Sequence, residues 1–190
     1  MAYITLEVPI HAGVDSILEY AVTNPIITYG SFGLCPDNGG RKNPVGKNIP
    51  RSQYGKIHEG MVENFYQDVL AVNNGGVPFF LTLSNLLHDP ASIRCEETTE
   101  VLDFLAGTPG ENGVITTNEL TEGFIRENYG GKLKIVASCQ KMFPGERKLT
   151  VEERVDIYNR NLVVYNLVCL TAADSRNPEL IGQIDESLRP

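Results

Sequence analysis

The apolar residues of this chain recur at strand spacing and at helix spacing in turn, and the alternation covers most of its length. Residues 4–10 alternate apolar side chains with polar or bulky ones, and this period of two predicts a strand with one solvent-facing side. Pro9, close to the end of that strand, favours a position at the edge of a sheet. Between Asp15 and Val22 the apolar residues recur at helical spacing, which predicts a short amphipathic helix that Asn24-Pro25 ends.

Five further strand–helix units are predicted after this N-terminal segment. The run VPFFLTL is apolar almost throughout, as in a strand that is buried on both faces, and this favours a parallel sheet over hairpins. Asn118 and Thr150 stand where helix caps are expected, and Asn73-Asn74-Gly75-Gly76 ends a helix as left-handed caps require. The predicted strands are 26–29, 77–83, 113–118, 133–137 and 167–170, and the predicted helices are 58–72, 93–105, 119–128, one beginning after Thr150, and one from Asn177-Pro178 to about Leu188.

Strands alternating with helices indicate an α/β protein built from parallel β/α units. We expect the chain of 190 residues to form one domain, in which residues 1–24 form the N-terminal strand and helix and residues 25–190 form the five units. A closed eight-fold barrel needs about 250 residues, so we expect a partial or short TIM-like barrel, with an open doubly wound sheet as the alternative. The predicted sheet core, with its flanking helix residues, comprises Ile27, Phe80, Leu81, Ile115, Ile135, Val136, Leu170, Phe65, Leu102, Phe124 and Ile184.

Composition narrows the range of partners and compartments. A formal charge of -8 and a pI near 4.9 argue against an electrostatic grip on nucleic acid, and no apolar run approaches the length of a membrane span. The N-terminus has no basic region followed by an apolar core, so we expect no secretory signal. The four cysteines are widely spaced and form no CxxC pair, which is typical of reduced thiols in a cytoplasmic protein.

Polar residues follow the predicted strands at their carboxyl ends, and in parallel sheets these ends share one face. The longest of the connecting loops begins after Tyr29 and is rich in glycine and asparagine. Arg41 can hold a carboxylate or phosphate in a bidentate fork, and Gly39-Gly40 either admits a ligand close to the backbone or simply permits a tight turn. We therefore predict a small polar or anionic ligand bound by Asn38, Gly39, Gly40, Arg41, Asn85 and Ser138.

Three residues at the same strand ends are candidates for catalysis. Cys139 is the candidate nucleophile, and His88 is the histidine nearest to the expected working face, so a Cys139–His88 pair would supply a thiol and a base. The alternative is a buried, inert cysteine and a surface histidine. Asp174, paired with Asp37, could serve acid–base chemistry or hold a divalent ion, although such residues more often cap helices. No metal site is predicted.

Several segments together resemble a known family of barrels. VPFFLTLSNLL with the helix to Leu105, GVITTN and KLKIVASCQ resemble the strand series of the U32-type collagenase-like barrel proteins, and FGLCPDNGGR resembles a loop of uncharacterised barrel proteins. The resemblance spans about Ile26 to Ile184 and lies in the pattern of strand ends. It implies a β/α barrel related to peptidases and RNA- or quinone-modifying proteins, some of which carry iron–sulfur clusters. This chain is shorter and has no clustered cysteine ligands, so no cofactor is predicted.

Two classes of function remain open on the sequence alone. The polar strand ends favour a binding protein or enzyme that acts on a small-molecule or peptide ligand, including a U32-like hydrolase or modifying enzyme. The absence of a recognisable acid–base pair favours a non-catalytic structural or interaction subunit of a larger assembly. A short barrel leaves strand edges unpaired, so association with a second copy or a protein partner is expected in either case.

Overall fold

The computed structural model describes residues 5–30, 64–83, 93–94, 96–143 and 148–185. Within these ranges six strands form one sheet in which every neighbouring pair is parallel. In chain order the strands are β1 (Leu6–Pro9), β2 (Ile26–Gly30), β3 (Phe79–Leu83), β4 (Gly113–Thr116), β5 (Lys134–Ala137) and β6 (Leu167–Val168).

Helices connect these strands. The described helices are α1 (Val14–Ala21), α2 (residues 64–74), α3 (Glu96–Gly107), α4 (Glu119–Tyr129), the short α5 (Cys139–Met142), α6 (Val151–Leu162) and α7 (Pro178–Gln183), and single 3-10 turns span Ile10–Ala12 and Asp174–Arg176. Local sequence accounts for their ends. Thr150 and Glu153 form a reciprocal capping box at the start of α6, Asn118 caps α4, and Gly76 takes a φ of +81° just after α2.

The strands lie in the sheet in the same order as in the chain, from β1 to β6. A doubly wound sheet reverses its strand order at one point, whereas this sheet always advances in one direction. Because parallel crossovers are right-handed, steady advance places the connecting helices on one face and lets the sheet curl around the other. The α/β prediction and the partial-barrel form are confirmed, and β1 occupies a sheet edge as Pro9 indicated.

The convex face of the sheet packs against the helices and forms the larger core. Leu81, Val114 and Ile135 from three adjacent strands meet Leu102 of α3 and Tyr158 of α6, all buried. Tyr129 and Phe124 of α4 belong to the same layer, with their rings 6.1 Å apart in an edge arrangement. This layer accounts for the amphipathic patterns of α3, α4 and α6, which contribute buried residues to it. The apolar side of α1 packs in a separate cluster with Ile26, Val72 and Val77.

The predicted sheet core is divided between the two faces rather than forming one cluster. Leu81 and Ile135 belong to the convex layer, whereas Ile27, Phe80 and three other residues form a separate concave cluster. Strand alternation causes this division, because neighbouring residues of a strand point to opposite sides. Leu170, Phe65, Phe124 and Ile184 are only partly buried and pack at the margin of the convex layer.

Two elements near the C-terminus are shorter than the sequence predicts. Strand β6 contains only Leu167 and Val168, and Leu170 lies beyond it. Helix α7 ends at Gln183, where Ile184 turns to extended backbone and Asn159 accepts a hydrogen bond from the Asp185 N–H at 2.9 Å. The expected continuation through residues 184–185 is therefore wrong, because a side chain of α6 binds the backbone that the helix would have used.

Candidate functional site

The concave face of the sheet has an apolar floor to which five strands or strand ends contribute. The cluster of buried residues consists of Ile27, Phe80, Ile115, Val136 and Cys169, with Tyr29, Cys139 and Leu167 packed against it. Strand register accounts for the grouping, since Tyr29 pairs with Phe80 and Ile115 pairs with Val136. Paired residues of parallel strands point to the same side, so these side chains share one surface. We call this surface the concave face.

Phe80 occupies the middle of the concave face because its neighbour across the ladder is a glycine. A Cβ atom built on Gly113 would lie 2.6 Å from the Phe80 ring and closer still to the carbonyl oxygen of Lys134. Gly113 therefore has a packing role, since any side chain there would displace the ring. The middle of the concave face is thus a buried aromatic ring with apolar residues beside it.

Three hydroxyl side chains and one thiol lie beside this floor, towards the carboxyl ends of the strands. They are Thr82, Thr117, Ser138 and Cys139, and we call them the polar rim. Thr82 pairs with Ile115 and so points to the concave side, and alternation places Thr117 there too, two residues beyond Ile115. Neither hydroxyl has a hydrogen-bond partner among the residues that the structure describes, and both oxygens are buried. A buried hydroxyl left without a partner costs about 1–3 kcal/mol, so two on one surface need an explanation.

Ser138 and Cys139 form the β5 part of the rim. The Ser138 side chain accepts a hydrogen bond from the Gln140 N–H at 3.3 Å and so caps α5. Cys139 is half-buried and free of any disulfide, and it touches both the concave cluster and the convex core. Ser138 thus lies where a ligand residue was predicted, while its hydroxyl also has a structural role.

Cys169 and Glu7 meet across the concave face. Cys169 directly follows β6, and its thiol donates a hydrogen bond to Oε1 of Glu7 on β1 at a distance of 3.1 Å. The two side chains come from opposite edges of the sheet. Burial raises the pKa of the Cys169 thiol strongly, and the charge and hydrogen bond of Glu7 raise it further.

Asp174 lies in a network of side chains beyond the end of β6. Arg154 donates to both carboxylate oxygens of Asp174, with Nε at 2.8 Å from Oδ1, and Tyr158 and Thr171 donate to Oδ2 at 2.6 and 2.8 Å. Burial alone would raise the pKa of Asp174, but the hydrogen bonds from Arg154, Tyr158 and Thr171 outweigh it and hold the pKa below its ordinary value. The carboxylate is thus ionised and fully engaged, and it joins α6 to the turn that follows β6.

A second network connects α4, α5 and the start of β6. Glu122 accepts hydrogen bonds from Lys141 at 2.6 Å, from Tyr165 at 2.7 Å and from Arg126 at 3.0 Å. Both Glu122 and Lys141 are largely buried. Burial raises the pKa of Glu122, but the three hydrogen bonds prevail and lower it overall. This network lies among the helices and holds the segment that carries Cys139 in place.

The other predicted site residues lie outside the described residues. They are Asn38, Gly39, Gly40, Arg41, Asn85 and His88. Their proposed roles, including the Cys139–His88 pair and the Arg41 anchor, stay predictions. Of the predicted site residues, the structure therefore places Ser138 and Cys139 on the concave side and Asp174 in its own network.

Sequence reasoning missed the two rim threonines. Thr82 lies inside the apolar run VPFFLTL, whose pattern predicts a strand buried on both faces, and Thr117 precedes the helix cap Asn118. Counting alternate positions along each strand would have placed both on the same side as Phe80. The signal that their hydroxyls are unpartnered exists only in the folded chain.

The described residues contain no group of three or more histidine, cysteine or acidic side chains arranged to hold a metal ion. None of the helices in the described ranges combines the length and apolar character needed to cross a bilayer. No protein-family model, curated protein or solved structure matches this chain. The likeness to U32-type barrels therefore stays a prediction made from the residues.

Proposed function

We propose that this protein binds a small polar ligand on the concave face, with an apolar side of the ligand against the partly exposed Tyr29 and Leu167 of the floor and its hydroxyl or amide groups against the polar rim. The observation that carries the proposal is the pair of buried hydroxyls of Thr82 and Thr117, which have no hydrogen-bond partner within the described part of the chain. When the two threonine side chains rotate towards a bound ligand, a ligand that accepts from or donates to both hydroxyls satisfies them, and this offsets the free energy that their isolation costs.

The chemistry of the described rim favours a neutral ligand. Its members are three hydroxyls and one thiol, and Glu7, on the same side of β1, would repel an anion. An anionic ligand depends on Arg41, which lies outside the described residues. A hydroxylated molecule with an apolar ring or edge, such as a nucleoside or a sugar, has the matching chemistry. Whether the bound molecule then reacts, as in a U32-like hydrolase or modifying enzyme, depends on Cys139 and its neighbours.

Ligand-observed NMR tests the proposal. The full chain is mixed with a panel of nucleosides and monosaccharides and, separately, with phosphate and citrate as the anionic arm. We expect saturation transfer to a neutral hydroxylated compound, with shifts of the Thr82 and Thr117 methyl signals in selectively labelled protein. Binding that leaves both methyl signals unmoved would place the site elsewhere, and binding confined to phosphate or citrate would favour the Arg41 loop.

A second candidate function, as an interaction subunit, is supported by the open sheet. Strands β1 and β6 end the described sheet and are not hydrogen-bonded to each other, and Val163 and Val164 are exposed just before β6. Unpaired strand edges beside apolar side chains are surfaces that a second copy or a partner can cover. Sedimentation of the pure protein would give a dimer or larger species on this account, and a monomer at all concentrations would contradict self-association. A cytoplasmic location, inferred from the scattered cysteines, completes the proposal.

A further inference from the structure

We propose that Cys139 and Cys169 are a redox modification site, at which a hydroperoxide converts the two thiols into a disulfide. The proposal is independent of any ligand on the concave face. It depends on how close the two residues are, on how differently they are exposed, and on the carboxylate that contacts one of them.

Strand pairing brings the two cysteines together. Ala137 pairs with Val168, and the Cys169 N–H donates to the Ala137 carbonyl at 2.9 Å, so the next residue of each strand continues the ladder as Ser138 beside Cys169. Cys139 follows at once. Adjacent strands lie about 4.8 Å apart, which is the spacing of Ser138 and Cys169, and disulfides join Cα atoms about 4.4–6.8 Å apart. Cys139 is one residue further on, and it lies close enough to Cys169 to raise the pKa of that thiol. Both side chains also pack in the same concave cluster.

The two thiols differ in exposure, and this gives them different roles. Cys139 is half-buried, so a small oxidant can reach it, whereas Cys169 is buried. Burial and the Glu7 carboxylate keep Cys169 protonated at rest. Cys139 is therefore the thiol that reacts first, and Cys169 is the thiol that resolves the product.

Glu7 supplies the proton acceptor that the second step needs. Its Oε1 already accepts the Cys169 S–H hydrogen bond at 3.1 Å. When Cys169 attacks, the proton can pass to Glu7 along that bond, which makes the buried thiol a nucleophile only at the moment of reaction.

The chemistry has two steps. The Cys139 sulfur attacks one oxygen of the hydroperoxide, the O–O bond breaks, and Cys139 becomes a sulfenic acid while the departing oxygen takes up the thiol proton as an alcohol, or as water from hydrogen peroxide. Cys169 then attacks the Cys139 sulfur and expels hydroxide, which receives the proton held by Glu7 and leaves as water. Two electrons pass from the sulfurs to the peroxide. Disulfides of this transient kind are the form found in reducing compartments.

Peptide mapping tests the proposal on the full chain. Native protein is treated with a small excess of hydrogen peroxide, its remaining thiols are alkylated, and it is digested with trypsin without reductant. Trypsin places Cys139 in residues 135–141 and Cys169 in residues 161–176, apart from Cys35 and Cys95. We expect these two peptides to be recovered joined, and to separate on reduction.

Three variants separate the roles. Cys169→Ser should stop at the Cys139 sulfenic acid, which dimedone traps, and Glu7→Gln should slow disulfide closure by at least about tenfold while leaving the first step unchanged. Cys95→Ser is the matched control and should form the bridge as the native chain does. Circular dichroism checks that each variant is folded.

The overturning results are equally specific. The pair would be refuted if both peptides were recovered alkylated and unlinked. It would also be refuted by a bridge from Cys139 to Cys35 or Cys95, or by direct oxidation of Cys139 to sulfinic acid. A closure rate unaffected by Glu7→Gln would refute the role of the carboxylate.

Discussion

The Cys169 sulfur lies 3.1 Å from a carboxylate oxygen of Glu7, although the two residues belong to opposite edges of the six-stranded sheet. Four strands separate them in the hydrogen-bonded order. A flat sheet would keep the edges about 24 Å apart at the usual strand spacing, so the contact measures how tightly this sheet curls. Curling turns one face inward, and that inner face carries the apolar floor and the polar rim.

Leu81→Ala should destabilise the protein by about 2–5 kcal/mol, because the side chain is fully buried in the convex core and its removal leaves a cavity. Denaturant unfolding followed by circular dichroism measures the loss. Leu120→Ala is the matched control, since Leu120 is half exposed on α4, and it should change stability by less than about 0.5 kcal/mol. Equal losses in the two variants would contradict the core assignment.

Gly113→Ala should cost about 1–3 kcal/mol, because the new methyl group would clash with the Phe80 ring and with the carbonyl of Lys134. Gly123→Ala serves as the control. Gly123 lies within α4 with nothing within 4 Å of an added Cβ, so that change should stabilise the protein by about 0.5–1 kcal/mol. Thermal unfolding measures both variants: Gly113→Ala should melt below Gly123→Ala. The opposite order would contradict the packing role of Gly113.

Asn112→Ala should destabilise the protein by about 2–3 kcal/mol. Asn112 is fully buried at the amino end of β4, where it exchanges two hydrogen bonds with Asn73 and accepts a third from the Phe79 N–H at 2.9 Å. Truncation leaves these buried groups without partners. Hydrogen exchange should accelerate at Phe79, and unchanged protection at that amide would show that the pairing has no structural role.

Asp174 should make the fold sensitive to acid. Its pKa is lower in the folded chain than its ordinary value near 4, so the stability it contributes is present above that value and is lost as the pH falls through the lowered pKa. At neutral pH, Asp174→Asn should have a free energy of unfolding about 3 kcal/mol lower than the native chain. Between about pH 5 and pH 2, the variant should then lose less of its free energy of unfolding than the native chain does. Tyr158→Phe keeps the Arg154 contacts and should retain most of the pH slope. Identical slopes in all three proteins would contradict the network.

Much of the fold could be predicted from the sequence because each local signal agreed with the next. The caps at Asn118 and Thr150 and the apolar run before Leu83 all became the elements they indicated. The division of the core into two faces was harder, since Phe80 and Leu81 are adjacent in sequence and only the register of the neighbouring strands assigns each to its layer.

The site was only partly accessible to the same reasoning. Ser138 and Cys139 could be placed at a strand end from pattern alone, and they lie there. Thr82 and Thr117 could not be singled out, because a threonine in a strand is ordinary and only the three-dimensional surroundings show that its hydroxyl is unpartnered. Nor could the sequence indicate that Glu7 would meet Cys169, since that contact follows from the curl of the whole sheet.

The most direct test of the ligand site compares two isosteric substitutions. Thr117 and Thr121 both have buried hydroxyls without partners in the described ranges, but Thr117 faces the concave side and Thr121 lies within α4. Each is changed to valine, and the dissociation constant of the strongest binder from the nucleoside and sugar panel is measured by titration calorimetry. Loss of one ligand hydrogen bond predicts binding about tenfold weaker in Thr117→Val and unchanged binding in Thr121→Val. Native affinity in both variants, an equal loss in both, or no binder in the panel would contradict the concave face as a binding site.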